Sequence, residues 1–174
     1  MEDIVIVCSI TFIILMTIAW PHFVGWAEWW PTSLNKARKM LNLAKLKKGE
    51  KIYDLGCGDG RIPIIASNEF GANATGIEVD PLRYLMARLA SNIFSKSRAK
   101  IVFGNFEKIN LRDADVIAIF LREKANERIK SKLKSELKKG ARIVSNNWTF
   151  KGWKPVQVDV KNKIYLYSTK SFKR

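Results

Sequence analysis

The chain contains few of the residues that build disulfide frameworks and transition-metal centres. Its 174 residues include two cysteines and one histidine. Cys8 lies in an apolar run and Cys57 in a glycine-rich stretch, far apart in the chain, so the sequence excludes a disulfide-stapled scaffold and fits a reducing compartment. His22 has no second histidine to share a metal ion with, and we predict no metal.

Basic residues are absent from the first thirty positions, which carry Glu2, Asp3 and Glu28. This acidic start does not fit a signal peptide. Residues 4–20 form an uncharged, mostly apolar run, which as a helix spans roughly 25 Å and nearly crosses a ~30 Å hydrocarbon core. A buried helix of a globular domain is the alternative, but the aromatic residues that follow resemble an interfacial belt and favour a membrane anchor over residues 1–30. The belt comprises Trp20, Phe23, Trp26, Trp29 and Trp30.

Positive charge is concentrated after this segment, and the whole chain carries a formal net charge of +15. Seven Lys or Arg residues fall within residues 36–51. The positive-inside rule therefore predicts a single-pass membrane protein whose catalytic part, residues 31–174, lies in the cytoplasm. The basic segment is expected to contact anionic lipid headgroups. Charge alone is equally compatible with nucleic acid or with a solvated surface.

Buried strands alternate with amphipathic helices over most of the chain, which predicts a parallel sheet covered by helices on both faces. Only two residues separate the last two predicted strands, and so short a connection requires a hairpin. The predicted fold class is α/β: a Rossmann-like, doubly wound, mostly parallel seven-stranded sheet. It ends in an antiparallel hairpin and is preceded by the transmembrane helix. Residues 31–174 form its single domain.

The dinucleotide-binding spacing G-x-G-x-x-G is absent. Residues 54–60, DLGCGDG, instead follow the pattern G-x-G-x-G behind a predicted buried strand. Ligands of doubly wound sheets bind at that position, and glycine lets the backbone approach them closely. A carboxylate there repels phosphate and attracts a cation. We therefore predict that Asp54, Gly56, Gly58 and Gly60 bind a cofactor with a cationic end.

Two further strand ends complete the predicted cofactor site. Glu78 ends the second strand, where an acid typically accepts hydrogen bonds from both ribose hydroxyls. Asn105 and Phe106 follow the third strand and offer a polar edge and an aromatic face for adenine. A ligand with an ammonium group, a ribose and an adenine but no phosphate is S-adenosylmethionine.

The motifs YDLGCGDGR, GIEVDP and GNF resemble those of the seven-strand, class I S-adenosylmethionine-dependent methyltransferases. Over residues 29–168 the chain is similar to archaeal broad-specificity protein-lysine methyltransferases. It is also similar to the mitochondrial membrane-anchored enzymes that modify ATP synthase c subunit and the adenine nucleotide translocase. The resemblance implies that Pro31 and Thr32 close over the methionine end of the cofactor. Ser33 departs from the family, which commonly has a second proline there. Asn146 and Asn147 stand where a His-Glu pair is common, which leaves an acid or base role there open.

Methyl transfer to lysine requires a neutral amine, which costs about 4 to 5 kcal/mol at pH 7 for an unperturbed pKa near 10.4. An apolar channel lowers this cost because it disfavours the ammonium form. Phe120, Trp148 and Trp153 lie at or after the ends of strands four and five, where the walls of such a channel belong, although each also fits an ordinary core position. Asn146 is a candidate to orient the amine through its amide oxygen.

The predicted substrates are lysine side chains of membrane or membrane-associated proteins. Nucleic acid is disfavoured because the fourth strand is not followed by the Asn/Asp-Pro-Pro-aromatic motif familiar from exocyclic adenine methylation. Methylation of a lipid-soluble small molecule and non-catalytic cofactor binding remain as alternatives.

Overall fold

The computed structural model describes residues 2–24, 30–95, 99–169 and 172, and for residues 2, 3 and 17–24 it describes the backbone alone. These residues form helices and strands that alternate from the second helix to the fifth strand. In chain order the elements are α1 (Glu2–Val24), α2 (Leu34–Leu43), β1 (Lys51–Leu55), α3 (Arg61–Phe70), β2 (Asn73–Glu78), α4 (Pro81–Phe94), β3 (Lys100–Phe103), a 3-10 turn (Phe106–Lys108), β4 (Val116–Ile119), α5 (Glu123–Glu136), β5 (Arg142–Asn146), β6 (Gln157–Asp159) and β7 (Ile164–Ser168).

The seven strands form one sheet in the order β3-β2-β1-β4-β5-β7-β6. β1 to β5 are parallel, and β7 runs antiparallel to both β5 and β6. The predicted α/β class, the mostly parallel sheet and the terminal hairpin are thus confirmed. The strand order reverses at β1, which pairs with β2 on one side and β4 on the other, and in such sheets the crevice at the reversal binds the ligand.

Local sequence signals set three of the helix ends. Ser33 caps α2 through a side-chain oxygen that accepts from the amide of Lys36. Asp80 caps α4 in the same way, with Pro81 in the first turn. α3 ends at Gly71, whose φ of +63° is a conformation that glycine adopts without steric cost.

Apolar clusters cover both faces of the sheet. Strand β4 is buried along its whole length, as expected for a central parallel strand with helices on either side. On one face Ile52 packs with the buried side of α2, and on the other Leu55 packs with residues of α5. Packing on both faces therefore holds β1 in place. The loop that follows its carboxyl end is positioned by this strand.

Residues 56–60, which we call the glycine loop, pack directly against β2 through a close contact between Cys57 and Gly76. A Cβ at Gly76 would lie 2.7 Å from the sulfur and 2.8 Å from the Cβ of Cys57, and 3.1 Å from the ring of Pro63. Carbon atoms do not approach one another so closely without displacement. The loop can therefore lie against β2 only because residue 76 has no side chain.

The predicted transmembrane helix is not supported. No helix built from the described residues is long and apolar enough to cross a membrane. The predicted single-pass membrane location is therefore wrong, and the expected lipid headgroup contacts and membrane-protein substrates had rested on it.

Part of the predicted belt lies outside the described residues, namely Trp26, Trp29 and the side chains of Trp20 and Phe23. The predicted boundary between residues 30 and 31 adjoins the same stretch and stays a prediction. The seven basic residues of 36–51 do not form one surface, since Lys36 contacts the end of β5 while Lys51 pairs with Asp113 at the opposite edge of the sheet.

Replacing Gly76 with alanine should lower the free energy of unfolding by about 1–3 kcal/mol, because the added methyl group overpacks the contact with Cys57. Denaturant unfolding measures this loss. Cys57→Ala removes the nearer sulfur, so the double variant should lose less than the sum of the two single variants. Strict additivity would show that the two residues do not compete for the same space.

Candidate active site

The glycine loop bends away from β1 and folds onto the end of β2. Gly56, Gly58 and Gly60 all have positive φ, at +83°, +58° and +81°. The amides of Gly56 and Cys57 both donate to the carbonyl of Ile77, at 2.9 and 3.0 Å. Gly60 begins α3, where a Cβ would lie 3.1 Å from that of Ala87 in α4. The loop is thus a tight backbone surface at the strand-order reversal.

The carboxylate of Glu78 holds this loop in place. It accepts hydrogen bonds from the amide of Gly58 at 2.8 Å and from those of Val79 and Asp80 at 3.0 Å each. Burial raises its pKa, while these backbone hydrogen bonds act in the opposite direction. A carboxylate offers about four acceptor positions. Oε1 uses two and Oε2 one, so Oε2 has one left for a ligand.

Asp54 is a buried acid with a strongly perturbed pKa. Its side chain is 3 % exposed, and its register partner Gly76 lies in the strand that ends at Glu78. Burial, together with the nearby charges of Glu78 and Asp59, raises the pKa of Asp54 to about 8. A positive group at this point would offset that repulsion. A cationic group would therefore be favoured at the end of β1.

Other chemistries are disfavoured at this site. Burial and the neighbouring acids raise the pKa of the Cys57 thiol, which disfavours the thiolate that a cysteine nucleophile needs. Among the described residues no cluster of His, Cys, Asp or Glu has the geometry to hold a metal ion.

Three distant parts of the chain meet at Thr32, a buried residue just before α2. Its hydroxyl accepts from Nδ2 of Asn146, at the end of β5, over 3.0 Å. Its carbonyl accepts from Nη1 of Arg61, the first residue of α3, over 2.7 Å. Arg61 also forms a salt bridge with Asp59 of the glycine loop. The segment that contains Thr32 is thus fastened to the loop and to β5.

Asn146 has an unused hydrogen-bond acceptor. The residue is 1 % exposed, and its Oδ1 has no hydrogen-bond partner among the described residues. A buried acceptor without a partner costs about 1–3 kcal/mol. Because Nδ2 donates to Thr32, the free oxygen is held in a fixed orientation.

The predicted aromatic residues are divided between the site and the core. Phe120 is half-buried directly after β4, and Trp148, two residues beyond Asn146, is 38 % exposed. Trp153 instead packs on Phe150 and Phe172, with ring centroids 4.8 and 4.0 Å apart. It is therefore part of an aromatic cluster that caps the core, and it does not form the third channel wall that its sequence position suggested.

The two residues predicted at adenine have unequal access to a ligand. Phe106 is 3 % exposed and packs in the core beside Leu55 and Ile77, so its ring offers little surface. Asn105 is half-buried, and its Oδ1 accepts from the amide of Glu107 at 2.7 Å, which leaves Nδ2 as the group that can face a ligand.

Sequence reasoning missed several residues that shape the site. Arg61 has no distinguishing spacing, whereas the isolated Gly76 inside a strand pattern is a recognised sign of close backbone approach. Asn126, a buried asparagine of α5, donates to the carbonyl of Thr149 at 3.3 Å and holds the loop that carries Trp148. Asn126 could have been noticed in the sequence, because it is an asparagine at an inward-facing position of an otherwise charged helix.

Comparisons with known proteins agree with this geometry. A family model described as the ANTKMT methyltransferase domain matches residues 54–157. A protein-lysine N-methyltransferase of Saccharolobus islandicus is 38 % identical over 146 residues, which cover 79 % of this chain and 90 % of that protein. The mouse adenine nucleotide translocase lysine N-methyltransferase is 35 % identical over 127 residues, which cover 70 % of this chain and 55 % of that protein. The chain thus spans about half the length of this mammalian relative.

The solved structures give the same fold. An RNA methyltransferase from Salinibacter ruber, in complex with S-adenosyl-L-homocysteine, has a TM-score of 0.77 and 29 % identity. The alignment covers 80 % of this chain and 94 % of that one.

Asp54→Asn should stabilise the ligand-free protein increasingly as the pH rises from 5 to 8. The folded-state pKa of about 8 lies above the ordinary value of 3.8, so the folded chain retains a proton that the unfolded chain has lost. Stability of the unmodified chain therefore falls with rising pH over that interval. Asparagine has no proton to lose, and thermal unfolding at pH 5 and pH 8 measures the difference.

Asp113→Asn is the matched control for this measurement. Lys51 lowers the pKa of Asp113, so its contribution to stability is present above pH 4 and is lost only as the pH falls below that. The difference between Asp113→Asn and the unmodified chain should stay constant between pH 5 and 8. A constant difference for Asp54→Asn as well would contradict the raised pKa.

Proposed function

We propose that this chain, which belongs to the ANTKMT methyltransferase domain family, methylates lysine side chains of proteins. It is an S-adenosylmethionine-dependent methyltransferase. The observation that supports a lysine acceptor is the buried, unpartnered Oδ1 of Asn146, held beside the glycine loop by Thr32. An amine can donate to this oxygen and still keep its lone pair for the methyl group.

The cofactor residues are assigned by charge and by free hydrogen-bonding positions. Asp54 faces the cationic methionine end, because a positive group lowers its raised pKa and restores the carboxylate. Glu78 accepts from a ribose hydroxyl with its remaining lone pair. The backbone of the glycine loop lies along the ligand, and Thr32 covers the methionine end. Asn105 faces the adenine edge, with Phe106 packed behind it.

S-adenosylmethionine supplies an electrophilic methyl group on a positively charged sulfur. The protein's contribution to an in-line displacement is alignment and the exclusion of water. Phe120 and Trp148 provide apolar walls, which disfavour the ammonium form of an entering lysine. Asn146 accepts one N–H of the neutral amine and so orients its lone pair. The proton lost before transfer passes to solvent, and no general base is assigned.

Glu78→Gln should weaken cofactor binding by roughly 10- to 100-fold, because a neutral amide is a weaker acceptor than a carboxylate and its NH2 group faces donors. Calorimetric titration with S-adenosylmethionine measures the loss. Glu69→Gln removes an exposed acid that pairs with Arg38 on the outer face of the helices, and it should bind as the unmodified chain does. Unchanged affinity of Glu78→Gln would refute the ribose assignment.

Transfer of labelled methyl groups from the cofactor to cell-extract protein and RNA tests the proposed activity. Label is expected in protein, resistant to nuclease and located on lysine by mass spectrometry. Asn146→Ala should lower kcat by roughly 10- to 100-fold, as for one lost hydrogen bond in the transition state, with cofactor affinity retained. Thr32→Val removes the hydroxyl partner but leaves the oxygen and should cost less.

RNA is the second candidate substrate, because the structural neighbour of 29 % identity is named an RNA methyltransferase and this chain is basic. Label found only in RNA would establish that reading and overturn the lysine proposal. If the chain binds the cofactor but transfers no methyl group to protein or to RNA, it would be a non-catalytic cofactor binder.

A further inference from the structure

Four lysines surround the mouth of the site beside Asn146. Strand β7 begins at Ile164, which pairs with Asn146, so the β6–β7 turn lies at the same sheet edge as the site. The turn supplies Lys161 and Lys163, and α2 supplies the other two. We call this group the lysine rim; its members are Lys36, Lys39, Lys161 and Lys163.

Neutral amides hold the two α2 lysines in place. Nζ of Lys36 donates to Oδ1 of Asn147 at 2.9 Å, and Nζ of Lys39 donates to Oδ1 of Asn162 at 3.0 Å. The amide of Asn147 donates to the carbonyl of Lys163 at 2.8 Å. Asn147 and Lys163 both have positive φ, at +63° and +51°, a conformation that costs free energy in non-glycine residues. The side chains of Lys36 and Lys39 and the backbone of Lys163 are therefore held in place.

The positive charge of the rim is only partly compensated. Among the described residues none of its lysines is in a salt bridge, whereas Lys51, Lys132 and Lys138 elsewhere each pair with a carboxylate. Within the described part of the chain, the acid that interacts with these lysines is Asp159, which accepts from the amide and the side chain of Asn162. Burial and the charge of Lys163 lower the pKa of Lys36, as expected where like charges crowd together. Four cations thus face one carboxylate.

We propose that the lysine rim binds acidic residues that flank the target lysine, so the preferred substrates are acidic protein segments. The inference rests on the proposed function. Without such residues, a lysine approaching Asn146 meets mainly positive charge; carboxylates beside it convert that repulsion into attraction. A protein segment fits better than RNA because Asp159 lies within the rim. A continuous phosphate backbone would have to pass this acid, whereas separate carboxylates can bind the lysines away from it.

Two peptides that differ only in charge test the proposal on the full chain. Each carries one lysine, flanked by glutamates in one peptide and by glutamines in the other. At low salt we expect kcat/KM to be about tenfold higher for the glutamate peptide, mainly through KM, and the preference should shrink as salt rises. Equal kcat/KM values for the two peptides would overturn the rim proposal while leaving lysine methylation intact.

Charge reversal then locates the preference. Lys161→Glu with Lys163→Glu should abolish or invert it, with cofactor affinity unchanged. Lys100→Glu with Lys139→Glu makes the same change in net charge at the opposite edge of the sheet and should keep the preference. If both double variants lose the preference for the glutamate peptide equally, the preference depends on overall charge, which would contradict the rim proposal. No methylation of either peptide would refute the proposed lysine activity itself, and methylation of RNA that the rim variants weaken would assign the rim to phosphate.

Discussion

The hydrogen bond from the amide of Gly58 to the carboxylate of Glu78 is the contact on which the site depends. It joins the glycine loop to the end of β2 and leaves Glu78 beside Asp54, two acids at neighbouring strand ends with little exposure to water. Burial raises the pKa of both, and the charge of Glu78 adds to the effect at Asp54. The fold therefore carries an electrostatic cost at this edge, and a cationic ligand offsets it. The same two acids would thus both favour a cationic ligand and determine where it binds.

The sequence alone was sufficient to predict the sheet and the position of the glycine loop at the end of β1. Apolar strands, helix caps such as Asp80 and the short β6–β7 connection are local signals, and local signals determine element type and order. The carboxyl ends of parallel strands then bring the glycine loop and Glu78 together without further information. The contact between Thr32 and Asn146 is different, because it joins residues 114 positions apart and has no local signature.

Aromatic residues and the first helix mark the limits of that reasoning. Residue type alone does not predict whether an aromatic ring lines a channel or fills the core, because tertiary packing determines burial. Trp153 packs in an aromatic cluster and Phe106 lies in the core. For α1, the length of the apolar run and the aromatic residues after it were taken as evidence of a membrane span, although among the described residues no helix has the required length and hydropathy. Asn146 was selected for its strand-end position and its side-chain chemistry, and its role stays a prediction.

A basic protein that acts on lysine has to satisfy two opposed electrostatic demands. The target must approach a positive surface, yet it has to react as a neutral amine. The lysine rim and the apolar walls separate these demands in space: carboxylates beside the target bind at the rim, while the amine passes on to Asn146. Deprotonation of the amine then depends on the apolar walls beyond the rim, which disfavour the ammonium form. Binding of acidic neighbours and activation of the lysine thus rely on different parts of the surface.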